Sequence, residues 1–275
     1  MDLSDKVAVV IGAGSGLGRA LAIRLAEKGM KLVLAGYTLS HLESTAKLIA
    51  LEGAECICVQ ADVSKLGDVQ NIADRTLKHF DKVHLLCNVA GIGPLGAIAE
   101  TSMDEWEWIL SVNLWGPING IHVFLPHIEQ NDEGHILSVA SESGLYGIGY
   151  LGAYNVSKFG VVGLMQSLER DLRLANSPIK TSVFCPGAIK TNILDSSRNR
   201  PASVAVIHPE SEVEKKVKAK VVKVVSEGMK PEKAADIITS GIESGQFWIF
   251  SHPYVPETAF QQAKAMLDSN TLIDI

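Results

Sequence analysis

Short apolar runs rich in β-branched residues alternate along this chain with stretches in which apolar positions recur every third or fourth residue. The first run, K-V-A-V-V-I at residues 6–11, has the pattern of a strand buried on both faces. Residues 17–28 follow with helical spacing, placing Leu17, Leu21 and Leu25 on one face. Gly29 stands where a left-handed residue ends such a helix. The alternation then predicts strands at 31–35, 56–60, 83–87, 135–139, 181–185 and 246–250. It predicts helices at 39–52, 66–80, 103–124 and 231–244, and one over 159–174 that continues a helix carrying Tyr154. Repeated β-α-β at this spacing implies an α/β fold, a doubly wound seven-stranded parallel sheet of the Rossmann kind with helices on both faces. Its crossovers should be right-handed.

The regular pattern lapses over residues 188–228. Residues 199–209 carry two prolines and no period, after which Val213, Val217, Val221 and Val225 recur every fourth residue among lysines. That spacing predicts an amphipathic helix lying over something apolar. An insertion of this length at the ligand edge of a sheet reads as a lid. The tail beyond residue 250 has a helical part available to a neighbouring subunit. No internal repeat or linker divides the chain, so residues 1–275 read as a single dinucleotide-binding and catalytic domain with its lid at about 188–228.

Composition narrows the partners. Apolar residues make up 47% of the chain and charged ones 20%, enough for a core and too few charges for disorder. A net charge of −6 gives no reason to expect nucleic acid or an anionic membrane. The start, M-D-L-S-D-K, has no basic leader before an apolar run, and no stretch is long and apolar enough to span a bilayer. Cys56, Cys58, Cys87 and Cys185 all fall in predicted strands, with Cys56 and Cys58 on the same side. Without a second cysteine or histidine pair at zinc spacing, reduced thiols in a cytoplasmic protein are expected, and no metal.

Two motifs carry chemistry. The first strand runs into G-A-G-S-G-L-G and then a helix. Glycines there let the backbone approach a pyrophosphate, and the helix start offers free N–H groups, so Gly12, Ser15, Gly16, Leu17 and Gly18 are candidates for a dinucleotide. At the end of the second strand, NAD sites carry an acid for the ribose hydroxyls. Here stand Gly36, Tyr37 and Thr38, which would not repel a 2′-phosphate, so NADP is expected over NAD, with Arg19 as a reserve cation. Asp62-Val63 and Asn88-Val89-Ala90-Gly91 close the third and fourth strands, at the ligand edge of such a sheet.

The second motif is Tyr154 with Lys158 at i+4, on one helix face, and Ser141 upstream. An ammonium beside a phenol favours the phenolate and should bring its pKa down from about 10. A serine hydroxyl beside it can hold a carbonyl or alcohol oxygen, making a proton-transfer site for an oxygen gaining or losing a hydride. Asn113 interrupts an apolar helical run and asks for a reason, such as a bend or a held water. Trp106, Trp108 and Trp115 in that run read as packing residues.

On these residues the chain resembles the short-chain dehydrogenase/reductase family over about residues 5–250. The glycine loop matches with Ile11 in place of the usual threonine, and Asn88–Gly91 resembles the family's N-N-A-G with valine at 89. Pro186-Gly187, then Ile189 and Thr191, resemble the segment that lines the nicotinamide. More loosely, residues 189–193 and G-M-K-P-E-K from Gly228 look like aryl-alcohol and aryl-ether Cα-dehydrogenases. The resemblance implies that Asp62 meets the adenine, that Tyr154 is the general acid and base, and that Lys158 lowers its pKa and binds the nicotinamide ribose. It implies that Ser141 orients the substrate oxygen and that Asn113 holds a relay water. Ile92, Leu95, Tyr146, Ile148, Tyr150, Ile189 and Ile193 suggest a hydrophobic ketone or secondary alcohol as substrate. A homodimer or homotetramer is expected. The competing expectation is a catalytically silent, cofactor-sensing protein of the same fold.

Overall fold

The computed structural model describes residues 1–201, 204 and 211–273. Seven strands, β1 (Val7–Ile11), β2 (Lys31–Gly36), β3 (Cys56–Gln60), β4 (Leu85–Asn88), β5 (Gly134–Val139), β6 (Ile179–Cys185) and β7 (Trp248–Phe250), form one sheet in the order β3-β2-β1-β4-β5-β6-β7. Every pairing is parallel. The order reverses between β1 and β4, which pair through Ala8↔Leu85 to Ile11↔Asn88. The loops leaving these two strands therefore diverge and open the crevice where such sheets take ligands.

Successive residues of β1 feed opposite faces, as the strand period requires. Val9 and Ile11 join one core with Ile72 of α3 (Leu66–Phe80), Phe124 of α5 (Gly116–Ile128) and Met165 of α6 (Gly152–Leu174). Ala8 and Val10 join the other with Leu21 and Leu25 of α1 (Gly16–Glu27), Leu42 of α2 (Leu39–Leu51) and Ile238 of α8 (Pro231–Glu243). Each fully buried Leu, Ile or Phe contributes about 1.5–3 kcal/mol, so the two cores rigidly fix the strand ends that border the crevice. Gly29 ends α1 at φ +82, with its N–H on Ala26 O and the Met30 N–H on Leu25 O, the left-handed stop its position predicts.

The run predicted as one helix over 103–124 is broken. α4 (Met103–Leu110) and α5 are joined by a π-helical turn, Ser111–Trp115, and α5 runs on to Ile128. The wider turn rotates Trp115 outward, where it is 56% exposed, so it is not a core residue; Trp108 is buried. The segment expected to act as a lid is described only in part. A 3-10 stretch, Ile193–Asn199, leads to Arg200, which bonds Glu105 of α4 and lies over the Trp108 ring. Most of the proline-bearing segment, residues 202, 203 and 205–210, lies outside the described residues. α7 (Glu212–Ser226) follows, with a Ser211 capping box and no buried residue. The tail forms α9 (Tyr254–Asp268), whose Val255 is fully buried against this chain itself. Among the described residues no helix is long and apolar enough to cross a membrane.

Candidate active site

A cleft of about 1140 Å³ opens at the C-terminal edge of the sheet. At its floor, Gly12 sits at φ +99, and a Cβ there would stand 2.6 Å from Ala90 N. A Cβ on Gly18 would collide with the Gly12 carbonyl. These two positions bring the turn down onto the β4 loop and the first turn of α1 up to the end of β1. No side chain caps α1 and no acid stands in its first turn, so its leading N–H groups are left for an anionic ligand. The loop is braced from behind. Thr45 Oγ1 donates to Ala13 O (2.9 Å), and Arg19 donates to Gly14 O (2.6 Å) and to Thr45 Oγ1 (3.0 Å). Arg19 is thus a strut of the glycine loop rather than the reserve cation its sequence position suggested. Thr45 carried no sequence signal.

Gly12, Ser15, Gly16, Leu17, Gly18, Tyr37, Thr38, Asp62, Val63, Ala90 and Gly91 all line the cleft, as do Pro186, Gly187, Ile189 and Thr191. Asp62 holds its own turn, its Oδ1 accepting from the Ser64 N–H and hydroxyl. His41 joins this end of the lining, one helical turn beyond the β2 end, a residue the sequence reading passed over. Asn88 is not among the residues that line the cleft. It lies 4% exposed behind the sheet edge, its Nδ2 on Ser138 Oγ and its Oδ1 against Gly120, outside the cleft. The glycine cradle, the open helix start and the cleft's size fit a dinucleotide.

The other half of the cleft holds the titrating groups. β5 ends at Val139, and Ser141 follows in extended backbone, its Oγ accepting from Ser143 N at 3.2 Å to start a 3-10 turn. Tyr154 and Lys158 project from one face of the first turns of α6 into the same cleft. The Ser141 hydroxyl stands near the Tyr154 phenol, in the sense that favours the phenolate. Lys158 Nζ stands 5.5 Å from the Tyr154 ring centroid and donates to Val139 O at 2.9 Å. Burial nevertheless pushes the Tyr154 phenol up to about 12, with the nearby Glu142 carboxylate adding to it. The expectation of a phenol lowered by its lysine is therefore corrected: burial dominates, and the pKa is raised. Burial also brings Lys158 down to about 8, because a desolvated ammonium is costly. The resting site holds a protonated phenol, ready to donate.

Asn113 does not face the cleft. In the π turn, fully buried, its Oδ1 accepts from Ile92 N and its Nδ2 donates to Ile92 O, each at 2.8 Å, as a neighbouring strand would. Its Nδ2 also reaches Ser157 Oγ at 3.2 Å, tying the β4 loop to α6 one residue before Lys158. Opposite the tyrosine, Ile92, Trp108, Val112, Ile148, Ile193 and Val221 make an apolar wall. Val217, Val221 and Val225 of α7 face it, as their spacing predicts, whereas Val213 is exposed. Leu95 and Tyr146 do not line this cleft: Leu95 borders a separate small pocket, and Tyr146 is buried with its hydroxyl on Glu142 at 2.7 Å. All four cysteines are free thiols; Cys87 and Cys185 are buried and Cys56 and Cys58 half-buried on one side of β3.

The profile of the short chain dehydrogenase family matches residues 6–202. The chain is 32% identical over 256 residues to a "CLA biosynthesis dehydrogenase/reductase" of Lactiplantibacillus plantarum, covering 92% of this chain and 90% of that one. It is 31% identical to a "C alpha-dehydrogenase" of a Sphingobium strain, covering 98% and 87%. Among solved structures, a short chain dehydrogenase/reductase from Burkholderia phymatum in complex with NAD superposes with a TM-score of 0.96 at 35% identity, over 100% of this chain and 99% of that one. With the profile covering most of the chain and these relatives nearly all of it, the protein belongs to the short-chain dehydrogenase/reductase family and is an oxidoreductase that acts on CH–OH groups with NAD or NADP.

Proposed function

We propose that this chain interconverts a hydrophobic ketone and the corresponding secondary alcohol, with Tyr154 as general acid and base. The observation that carries the reading is the meeting of Tyr154, Ser141 and Lys158 in a cleft that also presents Ile92, Trp108, Ile148, Ile193 and Val221, with Asp104, Glu107, Arg198 and Lys220 elsewhere in its lining. In reduction the Tyr154 hydroxyl donates its proton to the substrate oxygen, while the Ser141 hydroxyl hydrogen-bonds that oxygen and stabilises its developing charge. The Lys158 ammonium stabilises the phenolate that remains. In oxidation the phenolate takes the alcohol proton. The nicotinamide, when bound, supplies or takes the hydride. Asn113 spends its side chain holding Ile92 and Ser157, so a relay water beside it would rest on its backbone carbonyl.

The cradle at Gly12, Ser15, Gly16, Leu17 and Gly18 would hold the pyrophosphate, Asp62 and Val63 the adenine, and Pro186, Gly187, Ile189 and Thr191 the nicotinamide side. NADP is preferred over NAD in this reading, because no carboxylate ends β2 and Tyr37, Thr38 and His41 border that corner. The NAD complex of the Burkholderia phymatum relative supports a nicotinamide cofactor without deciding between the two. The chain works as one unit, in the cytoplasm, where its free thiols stay reduced. It pairs with copies of itself through the faces that expose Trp115, Val156 and Phe159, and light scattering that gives a monomer mass would refute this. The test of the function is a screen of aromatic and alicyclic ketones with NADPH and NADH. Hydride transfer to apolar ketones, faster with NADPH, is expected; binding of cofactor with no transfer to any ketone or from any alcohol would overturn the reading.

A further inference from the structure

The loop that leaves β6, residues 186–190, is held from three sides. Glu142 N donates to Pro186 O at 2.8 Å, and Met229 N donates to Ala188 O at 3.0 Å. Lys190 N donates to Met229 O at 2.9 Å. The third side comes from beyond β7. Ser251 Oγ accepts from Gly187 N at 3.0 Å, and Ser251 in turn pairs with His252 Nδ1 at 2.7 Å. At the first residue of α9, the Tyr254 hydroxyl lies against Gly187, close to both the Glu142 carboxylate and the Ala188 N–H. Its fit is close enough that any Cβ on Gly187 would collide with it.

Glu142 is the second member of this device. It lines the cleft next to Ser141, yet its Oε2 accepts from the buried Tyr146 hydroxyl at 2.7 Å. Tyr146 also meets Thr258, one helical turn along α9 from Tyr254. Two tyrosines, one from the serine turn and one from α9, thus converge on one carboxylate. Val255 between them and the core is fully buried, so the start of α9 is docked rather than loose.

We propose that Tyr254 and Glu142 are positioning residues, through which α9 clamps the 186–190 loop against the nicotinamide side of the cleft. This rests on the cofactor reading above. The clamp acts on ground-state binding of the dinucleotide, because neither residue needs to touch the reacting atoms. Removing the Tyr254 hydroxyl leaves the Ala188 N–H and one side of Glu142 without a protein partner, and the loop gains freedom that cofactor binding must then restrict.

The experiment is Tyr254→Phe, read by calorimetric cofactor affinity, thermal midpoint and steady-state kinetics. Tyr254 is 42% exposed, so the variant keeps its core packing. The expected result is a cofactor Kd and KM raised about three- to tenfold, with the thermal midpoint and kcat close to the parent. Glu142→Gln, which keeps one of the two acceptor oxygens, should raise Kd less. An unchanged Kd in Tyr254→Phe overturns the clamp, as does a rise that appears only together with a matching fall in thermal midpoint. A parent protein that binds neither dinucleotide would instead overturn the cofactor reading itself.

Discussion

Ser141 and Tyr154 meet across the gap between the end of β5 and the first turn of α6, the serine hydroxyl near enough to the phenol to favour its ionised form, with the Lys158 ammonium 5.5 Å from the tyrosine ring. The contact is a tertiary one. β5 carries the serine to the sheet edge, and α6, packed by Val161, Val162 and Met165, carries the tyrosine to meet it. Burial holds the phenol protonated and lowers the pKa of the lysine, so the tyrosine is set to donate.

Placing a carboxylate at the end of β2 should reverse cofactor choice. Tyr37 is 59% exposed, so Tyr37→Asp leaves the core untouched. The new charge would face the 2′-phosphate of NADPH and the free ribose hydroxyls of NADH. The NADPH-over-NADH ratio of kcat/KM should fall by about tenfold or more. A ratio unchanged by the substitution would mean that this corner does not read the ribose.

Asn113→Ala tests the π turn. The substitution leaves the Ile92 N–H and C=O without the partners that hold them at 2.8 Å in a fully buried site. Unfolding free energy should fall by about 2–4 kcal/mol. Urea titration checks this, and a loss well under 1 kcal/mol would show that the amide is dispensable to the fold.

A pH effect should appear far from the cleft. His135 on β5 is fully buried, with Nε2 on Ser182 Oγ at 2.7 Å and Nδ1 without a partner. The Ser182 proton goes to Gln246 O, so Nε2 carries a ring proton, and the buried, unpartnered Nδ1 leaves the imidazole neutral. Burial brings its pKa down to about 3 from an ordinary 6.5. Between these values the unfolded chain binds a proton that the folded chain refuses, so this residue's contribution to stability rises with pH there. It is lost as pH falls from 6.5 toward 3, at up to about 1.4 kcal/mol per pH unit. Unfolding by urea from pH 7 to pH 4.5 should show a shallower acid loss in His135→Gln than in the parent. Parallel curves would contradict the assignment.

Much of this was legible in the pattern of residues. The strands and helices follow apolar periodicity, β3 and α3 to the residue, because each element here buries a regular stripe against one of two cores. The glycine loop and the Ser141, Tyr154 and Lys158 positions were readable because close approach and shared helix faces leave local marks. What was not readable is what comes from afar. The π turn at Asn113 depends on pairing with Ile92, the burial of Asn88 depends on packing against Gly120, and the Arg19 strut depends on Thr45 of the next helix. Tyr254 lies at the far end of the chain from the glycine loop and carries no motif. The direction of the Tyr154 shift also escaped the sequence, since burial is set by the whole fold and here outweighs the Ser141 hydroxyl's favour for the phenolate.

The most direct test is single-turnover hydride transfer in Tyr154→Phe, alongside calorimetric binding of the cofactor. The variant should bind the dinucleotide about as tightly as the parent while transfer to an apolar ketone slows by roughly a thousandfold, the loss of a positioned general acid. Transfer within about tenfold of the parent, with the cofactor bound, would contradict the account.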